Sequence, residues 1–477
     1  MDTTQHATEA LDNAHSSRIH KDITTIASLA LFLAGLGYFI LTLAIPLIGR
    51  QWHLSQSMEG LLGSSALFGA IFGALSSGYL TDKLGRRTML RVSIIGVFIF
   101  SAFSAMTWSI TSLIIARFWL GVSISSNYPV AASYLAETMA VKNRGRKFCQ
   151  AMLVNCIGAV AGVIASYLIL CVYKNVEAWR FMLALTCIPA VWAFIVSLRI
   201  PESPRWLLAN NRQDEARTVI NKMTTKTVDH DSDIQSDRST FADLFKAKYI
   251  KQTLLVCITW FLMDISYYGI GIFTPTLMQS LHFEKSGDFF TQIMVVSKET
   301  VFANIFIVIG AYMAVVLIEK VGRIKLQALG FLWVTIGLLV MCASHLFPGV
   351  PIMHLVCILA GFAIFNFFIN VGPGATTYLI PAEIYPTNLR GKGHGFATAC
   401  AKIGAALGIF ILPVLQSSVG ALTTVLIIAG TTFLGYAMTV YLGFETKGKS
   451  LEEIHEVLSK KKDDFVPEVK FDPYMGL

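Results

Sequence analysis

Windows of about 19 residues divide this chain into twelve apolar runs, approximately 26–48, 60–80, 90–108, 111–136, 150–173, 179–199, 253–280, 299–318, 327–346, 352–381, 391–415 and 421–443. At a rise of about 1.5 Å per helical residue, runs of this length cross a hydrocarbon layer of ~30 Å. In lipid every backbone N–H and C=O has to be satisfied within the protein, so such runs fold as helices packed into a bundle. Composition agrees, with 54% hydrophobic and only 14% charged residues among 477, where soluble domains carry about 25% charged residues. The sequence predicts an all-α integral membrane protein.

The basic residues set its orientation. They cluster in alternate loops: Lys83, Arg86, Arg87 and Arg91; Lys142, Arg144, Arg146 and Lys147; the 199–251 segment; Lys320, Arg323 and Lys325; Arg390 and Lys392. The other loops hold only Arg50, Lys174, Arg180, Lys285 and Lys298. Basic loops stay on the cytoplasmic side, so both termini are expected there. This accounts for the formal charge of +8 through contact with a lipid bilayer, and no nucleic-acid partner is expected. Residues 1–25 are polar and lack the apolar core and small-residue cleavage site of a removable signal peptide, so the first helix is expected to serve as its own insertion signal. The eight cysteines have no C-x-x-C spacing, and His53, His345, His354 and His394 have no metal-ligand spacing. No G-x-S-x-G, H-E-x-x-H or nucleotide-binding G-x-x-x-x-G-K-[ST] pattern occurs. We therefore expect no metal, no cofactor and no enzymatic activity.

Five regions follow: a cytoplasmic tail at 1–25, a six-helix bundle at 26–199, a polar connector at 200–252, a second six-helix bundle at 253–443, and a cytoplasmic helix and tail at 444–477. Within the connector 201–216 reads as an amphipathic surface helix and 221–238 as a flexible link. The two bundles echo one another. Ala136-Glu137 is followed by Arg144-Gly145 at the interval that separates Ala382-Glu383 from Arg390-Gly391; Asp82-Lys83-Leu84-Gly85-Arg86 is matched by Glu319-Lys320-Val321-Gly322-Arg323, and Glu202-Ser203 by Glu445-Thr446. Two units repeated in the same direction are the architecture of a transporter that rocks about a central site.

Charge inside the runs locates that site. Apart from helix ends, only Arg117, Asp264 and Lys402 lie deep in the apolar segments. Asp264 stands roughly 20 Å beyond Lys251, and Lys402 roughly 15 Å beyond Lys392, so both fall near mid-bilayer. Intramembrane charges are costly and usually functional. Trp260 and Tyr268 lie four residues either side of Asp264 and share its helical stripe. Two cations against one acid leave a positive surplus that an anionic substrate could neutralise. Pairing of Asp264 with a basic residue purely to hold the bundle is the structural alternative, and Arg117 reads equally as structural or gating. In span ten Asn366, Asn370 and Gly374 are spaced by four, with Gly372-Pro373 expected to break the helix and expose backbone to a cavity. Gly69-x-x-x-Gly73 reads as a close helix contact.

The stretch Gly78-Tyr79-Leu80-Thr81-Asp82-Lys83-Leu84-Gly85-Arg86-Arg87 resembles the signature loop of the major facilitator superfamily, and Pro201-Glu202-Ser203-Pro204-Arg205 with Glu445-Thr446-Lys447-Gly448 resembles its sugar-porter-like branches. The resemblance implies twelve transmembrane helices in two parallel-repeat six-helix bundles. Asp82, Arg86, Arg87, Glu137, Arg144, Glu319, Arg323, Glu383 and Arg390 would form a charge latch that holds the cytoplasmic side shut. Trp260-x-x-x-Asp264-x-x-x-Tyr268, the run from Asn370 through Thr387, Gly393-His394-Gly395 and Ala401-Lys402-Ile403-Gly404 look like the phosphate:proton symporter family. That similarity implies substrate contacts from Tyr128, Trp260, Asp264, Tyr268 and Lys402, with Asp264 as the proton-coupling group. The span-seven glutamines that mark sugar binding are absent.

Departures from the pattern narrow the substrate. Span one has no acid, Asn127 and Asn155 stand where the family carries an acid and a glutamine, and Gly374 replaces an asparagine. Asn127 and Asn155 can still donate to oxyanions but cannot carry a proton, and with Asn370 they are expected among the substrate-binding residues. This counts against inorganic phosphate itself and in favour of a larger anion or a phosphorylated metabolite. The expected function is proton-coupled symport of a small anionic solute (phosphate, a phosphorylated metabolite or an organic acid) by alternating access, as a monomer in the plasma membrane or a bacterial inner membrane. A proton-coupled sugar or polyol porter and a non-transporting nutrient sensor are the alternatives.

Overall fold

A computed structural model describes residues 18–138, 144–210, 212–223, 240–281, 288–347, 350–449 and 453–454. All regular secondary structure among the described residues is helical, with no strand among them. The first set of helices runs α1 (Arg18–Phe39), α2 (Leu41–Trp52), α3 (Gln56–Leu84), α4 (Arg86–Met106), α5 (Ile110–Thr138), α6 (Arg144–Val172), α7 (Ala178–Ala184) and α8 (Cys187–Ser197). Two short helices follow, α9 (Pro204–Ala209) and α10 (Gln213–Met223), and then a 3-10 turn at Phe241–Phe245. The second set comprises α11 (Ile250–Leu281), α12 (Phe289–Val321), α13 (Arg323–Ala343), α14 (Pro351–Val371), α15 (Pro373–Ile384) and α16 (Thr387–Leu442). Ten stretches among the described residues are long and apolar enough to cross a membrane. The last of them, Leu389–Leu442, covers two of the expected runs and bends at Gly420, whose φ of 83° lies in the left-handed region. Large apolar side chains such as Phe103, Trp108, Phe181, Trp192, Phe302 and Phe433 point outward, as lipid-facing surfaces require.

Small residues decide which helices touch. A Cβ built on Gly69 would lie 1.9 Å from the Phe118 carbonyl oxygen, and one on Gly73 2.2 Å from that of Val122, so α3 and α5 meet backbone to backbone at the expected Gly-x-x-x-Gly pair. The two sets of helices meet mainly along α3 with α16 and α6 with α12. Cys156 and Val160 of α6 pack there on Ile307 and Ala311 of α12.

The two signature turns are alike in detail. Gly85 and Gly322 adopt φ of 93° and 104°, which favour glycine, and a Cβ on either would strike the carboxylate of Glu202 or Glu445 at 2.4 and 2.6 Å. Glu202 accepts from the backbone N–H groups of Arg86 (2.8 Å) and Arg87 (3.1 Å). Glu445 accepts from those of Arg323 (2.9 Å) and Ile324 (3.1 Å). Each carboxylate thus caps the N-terminus of the helix after the turn, where unsatisfied N–H groups and the helix dipole favour an anion.

Some local expectations change. The break at Gly372-Pro373 is present, with Gly372 at φ −107°, ψ −97°. Gly372 itself packs on α13, where a Cβ would lie 2.4 Å from Leu326 O and 2.8 Å from the Gly330 Cα, and its carbonyl accepts from Thr376, while Gly374 just beyond the break lines the cavity. The kink thus serves packing at Gly372 and leaves Gly374 backbone at the cavity. The surface helix expected at 201–216 is split at Asn210, and Ser203 caps its first part by accepting from Trp206 N. The flexible link at 221–238 and the tail beyond 454 lie almost entirely outside the described residues.

Candidate functional site

Lys402 and Asp264 meet in the core. Lys402 Nζ stands 2.9 Å from Asp264 Oδ2 and 3.2 Å from the Tyr268 hydroxyl, and both charged side chains are 2% exposed. The contact has a local cause. Two and six residues beyond Lys402, Cβ atoms on Gly404 and Gly408 would lie 2.3 and 2.4 Å from the carbonyl oxygens of Phe261 and Ile265, so α16 and α11 approach as closely as backbones can. This parallel register, 404 on 261 and 408 on 265, leaves Lys402 within about 7 Å of the level of Asp264 along the helices, a gap the long lysine side chain spans. Three tyrosine rings surround the ammonium, with centroids 4.5 Å (Tyr268), 5.1 Å (Tyr128) and 5.8 Å (Tyr38) away, which attracts a desolvated cation.

The pair opens onto a cavity of about 30 Å³, room for a water or two. Tyr128, Asn155, Trp260, Asp264, Tyr268, Asn370 and Lys402, all expected at a substrate site, line it. Met152, Cys156, Met263, Tyr267 and Gly374 complete the wall. Asn155 donates from Nδ2 to Leu31 O (2.8 Å) and to the Tyr128 hydroxyl (3.3 Å). Asn370 donates to Asn366 O and accepts from Cys156 Sγ at 3.3 Å, a contact between the two sets of helices. Asn127 is not at the cavity: its Oδ1 accepts from Ser93 Oγ and its Nδ2 donates to Ala30 O, which ties α5 to α4 and α1. Arg117 also stands apart, buried and donating to Gly37 O at 2.9 Å, so it braces α1. The positive surplus inferred from counting charges is therefore absent here, because Lys402 and Asp264 neutralise each other.

Contacts between the two sets of helices narrow the cavity on both sides. Toward the signature turns, Tyr378 of the second set meets Tyr128 and Phe148 of the first with centroids 6.0 and 5.5 Å apart and donates its hydroxyl to Tyr128 O, while Trp260 and His394 stack on it edge to face from within the second set. On the other side Phe39 meets Tyr267, and Tyr38 meets Tyr268, at 5.6 and 5.7 Å. Beyond them the Arg50 guanidinium sits 4.2 Å over the Phe289 ring.

At the signature turns, Arg323 donates to Glu319 (2.8 Å) and to both oxygens of Glu383 (3.3 Å), and Glu383 also accepts from Thr446 Oγ1. Glu319 in turn accepts from Arg146 N at 3.2 Å, which joins α12 to α6. Arg86 donates to Thr81 O, and Arg390 is buried. The side chains of Asp82, Glu137 and Arg144 lie outside the described ones. Sequence reasoning missed the caps Glu202 and Glu445, although the internal repeat had paired them, and it missed Tyr38, Tyr267, Met152, Cys156 and Met263.

A family model described as "Sugar (and other) transporter" matches residues 4–458. The chain belongs to this family of the major facilitator superfamily. Like other members it is a multi-pass membrane transporter and not an enzyme. Among curated members, a probable inorganic phosphate transporter 1-12 of Oryza sativa subsp. japonica is 27% identical over 93% of both chains. The putative metabolite transport protein YaaU of Escherichia coli (strain K12) is also 27% identical, over 93% of this chain and 96% of that one. The major facilitator proton:xylose symporter XylE, bound to 6-bromo-6-deoxy-D-glucose, superposes with a TM-score of 0.76 at 21% identity, covering 92% of this chain and 99% of XylE. The family fold is thus present across the chain, with phosphate-transporter relatives by sequence and a sugar symporter by shape.

Proposed function

We propose that the chain is a proton-coupled symporter of a small anionic solute, and that the buried Lys402–Asp264 pair is its coupling device. The carrying observation is that one lysine, at the interface of the two sets of helices, is held by one carboxylate on the wall of the cavity. With the cavity empty the pair is neutral. A proton on Asp264 alone would leave Lys402 uncompensated, and an anion alone would add a net negative charge. Either state buries an unpaired charge, at a cost of about 3–5 kcal/mol. Proton and monoanion together restore neutrality: the protonated Asp264 releases Lys402, which then holds the anion with Tyr268 and Tyr128 beside it. Only the empty and fully loaded forms cross readily, and this is the condition for coupling.

On this reading the chain crosses the bilayer twelve times, with bundles at 26–199 and 253–443 and both termini cytoplasmic, in the plasma membrane or in a bacterial inner membrane. The Glu319–Arg323–Glu383 latch and its Arg146 contact hold the cytoplasmic side shut, and the carrier acts as a monomer. The runner-up is a proton-coupled sugar or polyol porter, supported by the XylE-like fold. Uptake of radiolabelled phosphate, sugar phosphates, organic acids and polyols into proteoliposomes, with and without an imposed pH gradient, separates the two. Gradient-driven uptake of anions supports symport of an anion, and uptake confined to neutral polyols rejects it.

A further inference from the structure

We infer that the solute is a monocarboxylate with an apolar body, and not inorganic phosphate. The inference rests on the anion-symport reading above and narrows it.

The cavity wall carries two kinds of group. Lys402, Asp264, Tyr268 and Tyr128 form a charged and hydroxylated cluster, bound together through Lys402 Nζ. Met152, Cys156 and Met263 add carbon and sulfur to the same wall. Inorganic phosphate presents oxygen in every direction, so part of it would face thioether and thiol, where an unpaired polar atom is penalised. A carboxylate carries both oxygens at one end and leaves carbon at the other. Methionine side chains are flexible and polarisable, suited to closing on an apolar body of variable outline.

The donor inventory agrees. An amide NH₂ has two hydrogens. Those of Asn155 are both engaged, on Leu31 O and the Tyr128 hydroxyl, and Asn370 gives one to Asn366 O while its oxygen takes the Cys156 thiol. Asn127 is turned away on Ala30 and Ser93. The three asparagines that could have ringed a four-oxygen anion are largely committed to the scaffold. Two oxygens, by contrast, are served by Lys402 and the two tyrosine hydroxyls.

Charge points the same way. Among the described residues Asp264 is the one carboxylate on the cavity wall, so one bound proton matches one negative charge. A carboxylate carries that single charge throughout the physiological range, whereas phosphate partly carries two.

The test is equilibrium binding of radiolabelled 4-hydroxybenzoate, 3-methylbutanoate and inorganic phosphate to the purified full chain in detergent at pH 6, with Lys402→Gln alongside. The proposal expects at least one carboxylate to bind about ten-fold or more tighter than phosphate, the discrimination that an apolar pocket gives a matched body, and expects Lys402→Gln to abolish that binding. A Met152→Gln/Met263→Gln variant should shrink the preference at least several-fold. Phosphate binding as tight as or tighter than both carboxylates, with dependence on Lys402, overturns this proposal and leaves the anion reading intact. Absence of Lys402-dependent binding by all three anions overturns both.

Discussion

Replacement of Asp264 by asparagine tests the coupling reasoning at its root. The carboxylate lies 2.9 Å from Lys402 Nζ with both groups buried. Asparagine keeps the volume and a carbonyl oxygen but removes the charge, which makes the site a permanent counterpart of its protonated form. Lys402 is then uncompensated whenever the cavity is empty, and the penalty for removing one partner of a buried pair is about 3–5 kcal/mol. If that penalty falls on the reorientation of the empty carrier, its rate drops roughly two hundred- to several thousand-fold. The anion-loaded variant is neutral and still crosses. Asp264→Asn should therefore exchange labelled for unlabelled solute across proteoliposomes at a rate near wild type, while net accumulation driven by a pH gradient disappears.

Binding gives a second readout of the same variant. In the wild type, anion affinity should weaken as pH rises, by up to about ten-fold per unit, the limit set by linkage to one proton. In Asp264→Asn it should be flat. Full gradient-driven accumulation by the variant, or a pH profile unchanged from wild type, refutes the role assigned to Asp264. Loss of exchange together with accumulation refutes the neutral-carrier mechanism.

Further predictions follow from the packing. Gly404→Val and Gly408→Val place atoms against backbone carbonyls already 2.3–2.4 Å from a Cβ, and should destabilise by at least about 1–3 kcal/mol with loss of anion binding, whereas Gly430→Ala, with nothing within 4 Å, should leave the melting temperature unchanged or slightly raised. The double variant Asp264→Asn/Lys402→Gln should melt higher than either single, because it removes both charges; a simple sum of the two losses would show that the pair is not a unit. Glu445→Gln should weaken the cap on α13 and lower stability by about 0.5–2 kcal/mol, read from thermal unfolding in detergent. Glu319→Gln should loosen the contact with Arg146 and shift spin-label distances across the latch end toward longer values. Asp243, whose carboxyl is held down to about 2 by Lys246 and the Thr240 N–H, should keep its turn intact from neutral pH down past the ordinary 3.8 and lose it only as pH falls through about 2, followed by exchange of the Thr240 amide.

Depth was legible in the sequence and rotation was not. A helix rises by a fixed amount per residue, so counting from Lys251 and Lys392 put Asp264 and Lys402 at similar depths near mid-bilayer. Whether they face each other depends on how α11 and α16 are turned, and Gly404 and Gly408 decide that by leaving α16 no side chains against the Phe261 and Ile265 carbonyls. Consecutive helical residues point about 100° apart, so the sequence did not tell which of Tyr128 and Asn127 faces the cavity. Tyr128 does, and Asn127 serves Ser93 and Ala30. Gly372-Pro373 was recognisable as a break, but its direction depends on Gly330 of α13, far away in the chain. The caps of Glu202 and Glu445 were hidden for a related reason: the repeat showed that the acids were paired, while the N–H groups they meet become available only once Gly85 and Gly322 have turned.

The absence of acids from span one and from position 127 would weigh against proton coupling if coupling required a chain of carboxylates. On the proposed mechanism it requires less. One lysine has two competing partners, a carboxylate of the protein and an anion from solution, and only a proton on the first releases the lysine to the second. The Lys402–Asp264 contact has that form, with tyrosines around the ammonium and, among the described residues, no second carboxylate on the cavity wall to take over the counter-ion role. A further acid beside it would keep Lys402 neutralised after Asp264 was protonated, and the anion would then meet no surplus charge. For a carrier of this design the missing acids are what allows one proton to control one anion.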